Sequence, residues 1–135
     1  QHSMDDRDVI TRFGANRGGI PDAFKALHDA GVSLRMGSDA PVAPLDPWMA
    51  ISAAVFGTES SDREPFQPEQ CLDARTALAA STAVGRDRPE PGERADLVRL
   101  GRDPYAVSTP GGMRAMPVAA TMLAGRWTYS SLHGE

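Results

Sequence analysis

Val32-Ser33-Leu34-Arg35-Met36-Gly37-Ser38-Asp39-Ala40-Pro41 is the stretch on which the fold turns. Val32 to Met36 has the apolar character of a short buried strand, running to about residue 37, and Gly37-Ser38 breaks it into a tight turn that presents the carboxylate of Asp39. Just upstream, Pro21 suits the first position of a helix, Ala23, Phe24, Leu27 and Ala30 recur at helical spacing, and Gly31 supplies the stop. Just downstream, Val42-Ala43-Pro44-Leu45-Asp46 leads into a Pro-started helix over residues 47–55. Helix, strand and helix in that order are the rhythm of a β/α barrel or a doubly wound sheet.

Outward from this unit the pattern loosens. Residues 1–20 are polar and rich in Asp, Arg and Gly, which predicts a loop with one helical turn around Asp6 to Phe13. Residues 57–66 read as a charged loop. Gln67-Pro68-Glu69-Gln70 then opens a helix whose apolar positions Leu72, Ala74, Ala77, Leu78 and Ala80 carry it to about Thr82. Pro89, Pro91 and Gly92 break any regular structure in residues 85–94. Ala95 to Leu100 reads as a strand, and Tyr105 to Ala115 as a long exposed connection. Val118 to Leu123 and Arg126 to Tyr129 flank Ala124-Gly125, the two-residue spacing of a β-hairpin.

A chain of 135 residues with 41% hydrophobic and 24% charged residues suits one modest core. Eleven Pro and thirteen Gly favour short elements and many turns over a long helical bundle. The net charge of −4, with both signs interspersed, leaves no continuous basic track for nucleic acid. No apolar run approaches the roughly 20 residues needed to cross a bilayer, and the first residues lack the charged and apolar regions expected of a signal peptide. The single cysteine, Cys71, cannot form an internal disulfide, so a cytoplasmic location is the expectation.

Asp39 is the leading candidate for chemistry. A carboxylate at the end of a barrel strand lies on the face where active sites of that fold are built, although Ser38-Asp39 could equally cap a turn or helix. His28, beside Asp29, reads as a solvent-facing histidine near a helix C-terminus, and His133 belongs to a polar tail. No His-x-His or His-x-x-x-His occurs, so the chain lacks a paired zinc motif of its own.

Residues 37–47, Gly-Ser-Asp-Ala-Pro-Val followed by Pro-Leu-Asp-Pro, resemble the last barrel strand of metal-dependent amidohydrolases of the amidohydrolase-3 (YtcJ-like) family. Gly92-Glu93-Arg94-Ala95-Asp96-Leu97-Val98 is similar to a Gly-x-x-Ala-Asp-Leu-Val segment of the small β-sandwich that accompanies such barrels. Ser3-Met4-Asp5-Asp6-Arg7-Asp8 after His2 is similar to the loop that follows the seventh strand, and Gly14-Ala15-Asn16-Arg17 to a Gly-x-x-Arg ahead of a Leu-x-x-Ala-Gly helix end. The resemblance implies an α/β architecture. Residues 1–84 would be the C-terminal β/α units of a TIM-like (β/α)8 barrel, and residues 85–135 part of the β-sandwich.

The same resemblance implies a hydrolase of amide, formamide or cyclic amide C–N bonds, acting on a small molecule with a divalent metal, zinc by expectation. Asp39 would be the proton shuttle and a possible metal ligand, with Arg17 and His2 as substrate contacts. Arg17 and His2 serve equally as solvated loop charges. Asp96 is expected to be structural, orienting the start of a strand. The other metal ligands would lie upstream of Gln1, so this chain alone should hold no metal tightly and turn over no substrate. Its partner would be the N-terminal part of the same enzyme or another copy. A rival reading is a self-associating, non-catalytic binding module.

Overall fold

The computed structural model describes residue 4 and residues 6–14 and 22–131, a mixed helical and stranded chain with one small antiparallel sheet. Helix α1 spans Arg7–Gly14, longer than the single turn expected there, and α2 spans Phe24–Asp29. Pro21, expected to start α2, falls outside the described residues.

The central element is α3, Pro47–Phe56. Pro47 occupies its first turn, where a missing N–H costs nothing, and the Asp46 carboxylate accepts the Trp48 N–H at 2.9 Å. Gly57 closes it in the left-handed region at φ 62, and its N–H bonds Ala53 O at 2.9 Å. Only glycine fits: a Cβ there would stand 2.8 Å from Phe66 O and 2.9 Å from Cys71 Sγ. Because its faces are apolar nearly all round, α3 sits in the middle of the core, with Trp48, Ile51, Ser52 and Ala54 buried.

The helix expected from Gln67 to Thr82 is broken in two. Residues Pro68–Gln70 form a 3-10 turn, the chain runs extended through Cys71 to Asp73, and α4 spans Ala74–Ala80. Two local interactions impose the break. Leu72 donates its N–H to Ala54 O of α3 at 2.8 Å instead of to a helical carbonyl, and the Asp73 carboxylate caps α4 through Thr76 N at 2.9 Å.

The connection expected to run exposed over residues 105–115 is structured and largely anchored. Pro104–Ala106 is a 3-10 turn capped by Asp103, and α5 spans Pro110–Arg114 with Thr109 accepting from Gly112 N at 3.1 Å. Met113 has no solvent exposure and, with Met116, joins Trp48, Ile51, Ala54, Leu72 and Ala77 in one core. Ser52 Oγ donates to Pro110 O at 3.1 Å and fixes α5 against α3. Burial overrides the loop-like Pro-Gly-Gly start of this helix.

Strands β1 (Leu97–Leu100), β2 (Val118–Leu123) and β3 (Arg126–Ser130) form a sheet in the order β1-β2-β3, both pairs antiparallel. Bulges interrupt the register at Arg99/Leu100 and at Thr121/Met122. The β2–β3 turn has Ala124 at φ 49 and Gly125 at φ 79, the two left-handed residues of a type I′ hairpin.

Residues 32–37, expected as a strand, form neither helix nor turn and belong to no sheet among the described residues. Leu34 and Met36 do pack against the core, and Met36 N bonds Ala80 O at 2.8 Å. A strand is defined by a ladder, and no described segment lies alongside to complete one. The described residues accordingly contain no barrel.

Candidate functional site

Asp39 stands on the turn that follows residues 32–37. Its own φ of 54 lies in the left-handed region, which Asp tolerates better than most residues because its short polar side chain can bond locally. Its carbonyl accepts Val42 N at 2.9 Å, closing a four-residue turn around a cis Ala40-Pro41 bond. Ala43 is 4% exposed and Asp46 caps α3, so the loop is pinned in its middle and at its end. Asp39 itself is exposed. On the same loop Val42 is 72% exposed and Leu45 82%, the largest exposures of large apolar side chains among the described residues. The sequence reading absorbed both into the motif around Asp39. Their signal was two large aliphatics inside a Pro-rich polar turn.

The other sequence-derived candidates are not brought to Asp39. His2, Arg17 and His133 lie outside the described residues. His28 falls in the last turn of α2 and is exposed. No group of three His, Cys, Asp or Glu side chains that could hold a metal occurs among the described residues. A catalytic zinc needs about three protein ligands, so these residues do not by themselves fit a metal.

A cavity of about 300 Å³ lies behind residues 32–37, lined by Phe24, Met36, Gly37, Ala53, Phe66 and Cys71 among others. Asp39 is not part of its wall. Burial, with a smaller contribution from Glu69, pushes the Cys71 thiol up, which keeps it protonated and poorly nucleophilic.

Two charged groupings hold the chain together. The Asp87 carboxylate receives the Tyr105 hydroxyl at 2.6 Å and pairs with Arg75, whose guanidinium lies 4.9 Å from the Tyr105 ring centre. The Tyr105 bond, with Arg75 and Arg88 nearby, holds the Asp87 carboxyl below the usual carboxylate range. This cluster ties α4 to the 104–106 turn. Asp96 Oδ1 accepts Ala124 N at 2.7 Å while Ala95 O accepts Gly125 N at 3.0 Å, so Asp96 secures the hairpin turn to the start of β1. Its expected structural part is what the geometry displays.

Comparison with known proteins adds a further finding. The family model described as "Amidohydrolase family" matches residues 1–129. A protein of Bacillus subtilis (strain 168) named as an amidohydrolase, YtcJ, is 28% identical over 132 residues, covering 90% of this chain and 25% of that protein. The chain thus spans about a quarter of the length of that curated relative. No solved structure matches it. No described helix is long and apolar enough to cross a membrane.

Proposed function

Because the chain belongs to the amidohydrolase family, we propose that it is the C-terminal part of a metal-dependent hydrolase of amide, formamide or cyclic amide C–N bonds. Residues 1–84 supply the last segment of its barrel, and residues 85–135 part of its β-sandwich. The observation that carries this reading is Asp39: an exposed carboxylate on a pinned turn, directly after a segment whose alternate side chains Leu34 and Met36 pack into the core. It supports the reading because reacting groups of barrel enzymes sit on turns that follow barrel strands.

In this reading Asp39 accepts a proton from the water that attacks the carbonyl carbon. It then returns the proton to the leaving nitrogen as the C–N bond breaks, giving a carboxylic acid and an amine. A divalent cation, zinc by expectation, would polarise the carbonyl and acidify the water. The described residues offer it one carboxylate, so its other ligands come from the N-terminal part of the enzyme or another copy. Arg17 and His2 are the proposed substrate contacts.

Asp39→Asn in the metal-loaded parent enzyme tests the assignment. The amide keeps the shape but is a far poorer proton acceptor, so kcat should fall by a factor of about 10² to 10⁴ with Tm unchanged. Retention of activity would sink the proton-shuttle role.

One observation favours the second reading, an associating module. Val98, Leu123, Trp127 and Tyr129 are all more than half exposed on the sheet. Both readings require the isolated chain to self-associate. Sedimentation of a cooperatively folded monomer would count against each of them.

A further inference from the structure

Asp22 and Gln67 share two unfavourable features. Both hold a left-handed backbone, φ 54 and φ 47, without being glycine. Each also buries a side-chain oxygen, Asp22 Oδ2 and Gln67 Oε1, that has no hydrogen-bond partner among the described residues. The two residues lie far apart in sequence, yet both line the cavity of about 300 Å³ behind residues 32–37. Neither feature has a local cause. Gln67 precedes the turn of Pro68–Gln70 but its side chain caps nothing there, and the residue at the cap of α2 is Ala23 rather than Asp22. A buried acceptor without a donor is costly, and strained non-glycine backbone gathers at ligand clamps.

We propose that this cavity binds a small organic ammonium ion, a protonated alkylamine. An ammonium group carries three donors and a charge opposite to that of Asp22, while an alkyl body suits the wall of Phe24, Met36, Ala53 and Phe66. The terminal torsions of Asp and Gln are broad, so both oxygens can turn to a donor in the cavity without moving the backbone. Arg35 borders the cavity too, but its guanidinium donates to Leu34 O at 3.0 Å and lies against Gly85. It therefore leaves both oxygens unpaired. The wall is drawn from the start of α2, residues 35–37, α3 and residues 66–71, so this chain builds the site itself. Asp39 is not part of that wall, and the inference does not depend on its role.

The test titrates n-pentylammonium chloride and 1-pentanol into the parent enzyme. The readouts are Kd by calorimetry, the ¹³C methyl signal of Met36, and Tm without ligand. n-Pentylammonium should move the Met36 signal and bind with Kd below about 1 mM, with 1-pentanol weaker by about tenfold or more. Asp22→Asn keeps a residue that tolerates the left-handed region, and Gln67→Met keeps the length of the side chain. Each should weaken n-pentylammonium by about tenfold or more, with Tm unchanged or raised, because an unpaired buried acceptor or charge has been removed. Asp62→Asn, at an exposed carboxylate outside the wall, should bind as the wild type does. A lower Tm in Asp22→Asn or Gln67→Met would show that the rest of the parent enzyme bonds these oxygens, and would overturn the proposal. So would a Met36 signal that does not respond to n-pentylammonium, equal affinity for 1-pentanol, or undiminished binding by the two variants.

Discussion

Met113→Ala separates a structured, buried connection from an exposed one. Met113 has no exposed surface and shares the core with Trp48, Ile51 and Leu72, while the helix that carries it has five residues, two of them glycine. Such a helix cannot hold itself, because nucleation is unfavourable and each Gly costs up to about 1 kcal/mol relative to Ala. Its position therefore depends on what Met113 buries. Removing a buried Met side chain costs about 2–5 kcal/mol, and a site enclosed by Trp48 and Ile51 of the well-capped α3 has little freedom to collapse, which points to about 3 kcal/mol. At about 2.1 cal/mol/K per residue, a chain of 135 residues has an unfolding entropy of about 0.28 kcal/mol/K. The expected fall in Tm is then about 10 °C. Urea unfolding followed by circular dichroism should give the same loss with an unchanged m-value. Val84→Ala, at a site 58% exposed and away from the sheet, serves as the control and should cost well under about 1 kcal/mol. If Met113→Ala and the control proved equal, the anchoring of residues 110–116 would be refuted.

Asp96→Ala removes the acceptor for Ala124 N and should lower Tm by about 3–4 °C, a loss of about 1 kcal/mol once the partial exposure of the carboxylate is allowed for. A catalytic defect without that stability loss would contradict its structural role. The Asp73 carboxyl is held below its ordinary value chiefly by the Thr76 hydroxyl, with backbone N–H groups adding to the effect and burial opposing it. Its contribution to stability is therefore full above the unfolded value of about 3.9 and is lost as the pH falls through the lower folded value. The stability advantage of the wild type over Thr76→Val should be constant near pH 6 and shrink below about pH 4. Urea melts at pH 6, 4 and 3 measure it, and a gap independent of pH would rule out this linkage.

Sequence reading succeeded where the controlling physics is local. Pro47 behind Asp46 announced α3, and the Ala124-Gly125 pair announced the hairpin, because caps and left-handed turns are written in one or two residues. It failed where distant contacts decide. Gly111 and Gly112 look like loop until Met113 is seen to be buried, and the break before α4 depends on Leu72 bonding to Ala54, eighteen positions earlier. The apolar character of residues 32–36 was a true signal only in part, since Leu34 and Met36 pack against the core while Val32 is exposed, and a sheet also needs a neighbour. Asp39 was legible as a carboxylate on a turn. Its chemistry was not, because a catalytic constellation is assembled from segments far apart in sequence. The exposure of Val42 and Leu45 was hidden for a related reason: composition does not say which way a loop residue faces.

The bond between Asp96 and the hairpin turn bears on how the sheet assembles. Strands β2 and β3 are joined by two residues and can zip together on the microsecond scale typical of hairpins. Strand β1 reaches them only by closing the chain between residue 96 and residue 124. The entropy of that closure grows slowly with loop length but must be met before any ladder bond of β1 forms. The bond from Ala124 N to Asp96 ties the start of β1 to the hairpin turn, so that contact and the β1–β2 register agree with each other in the native sheet.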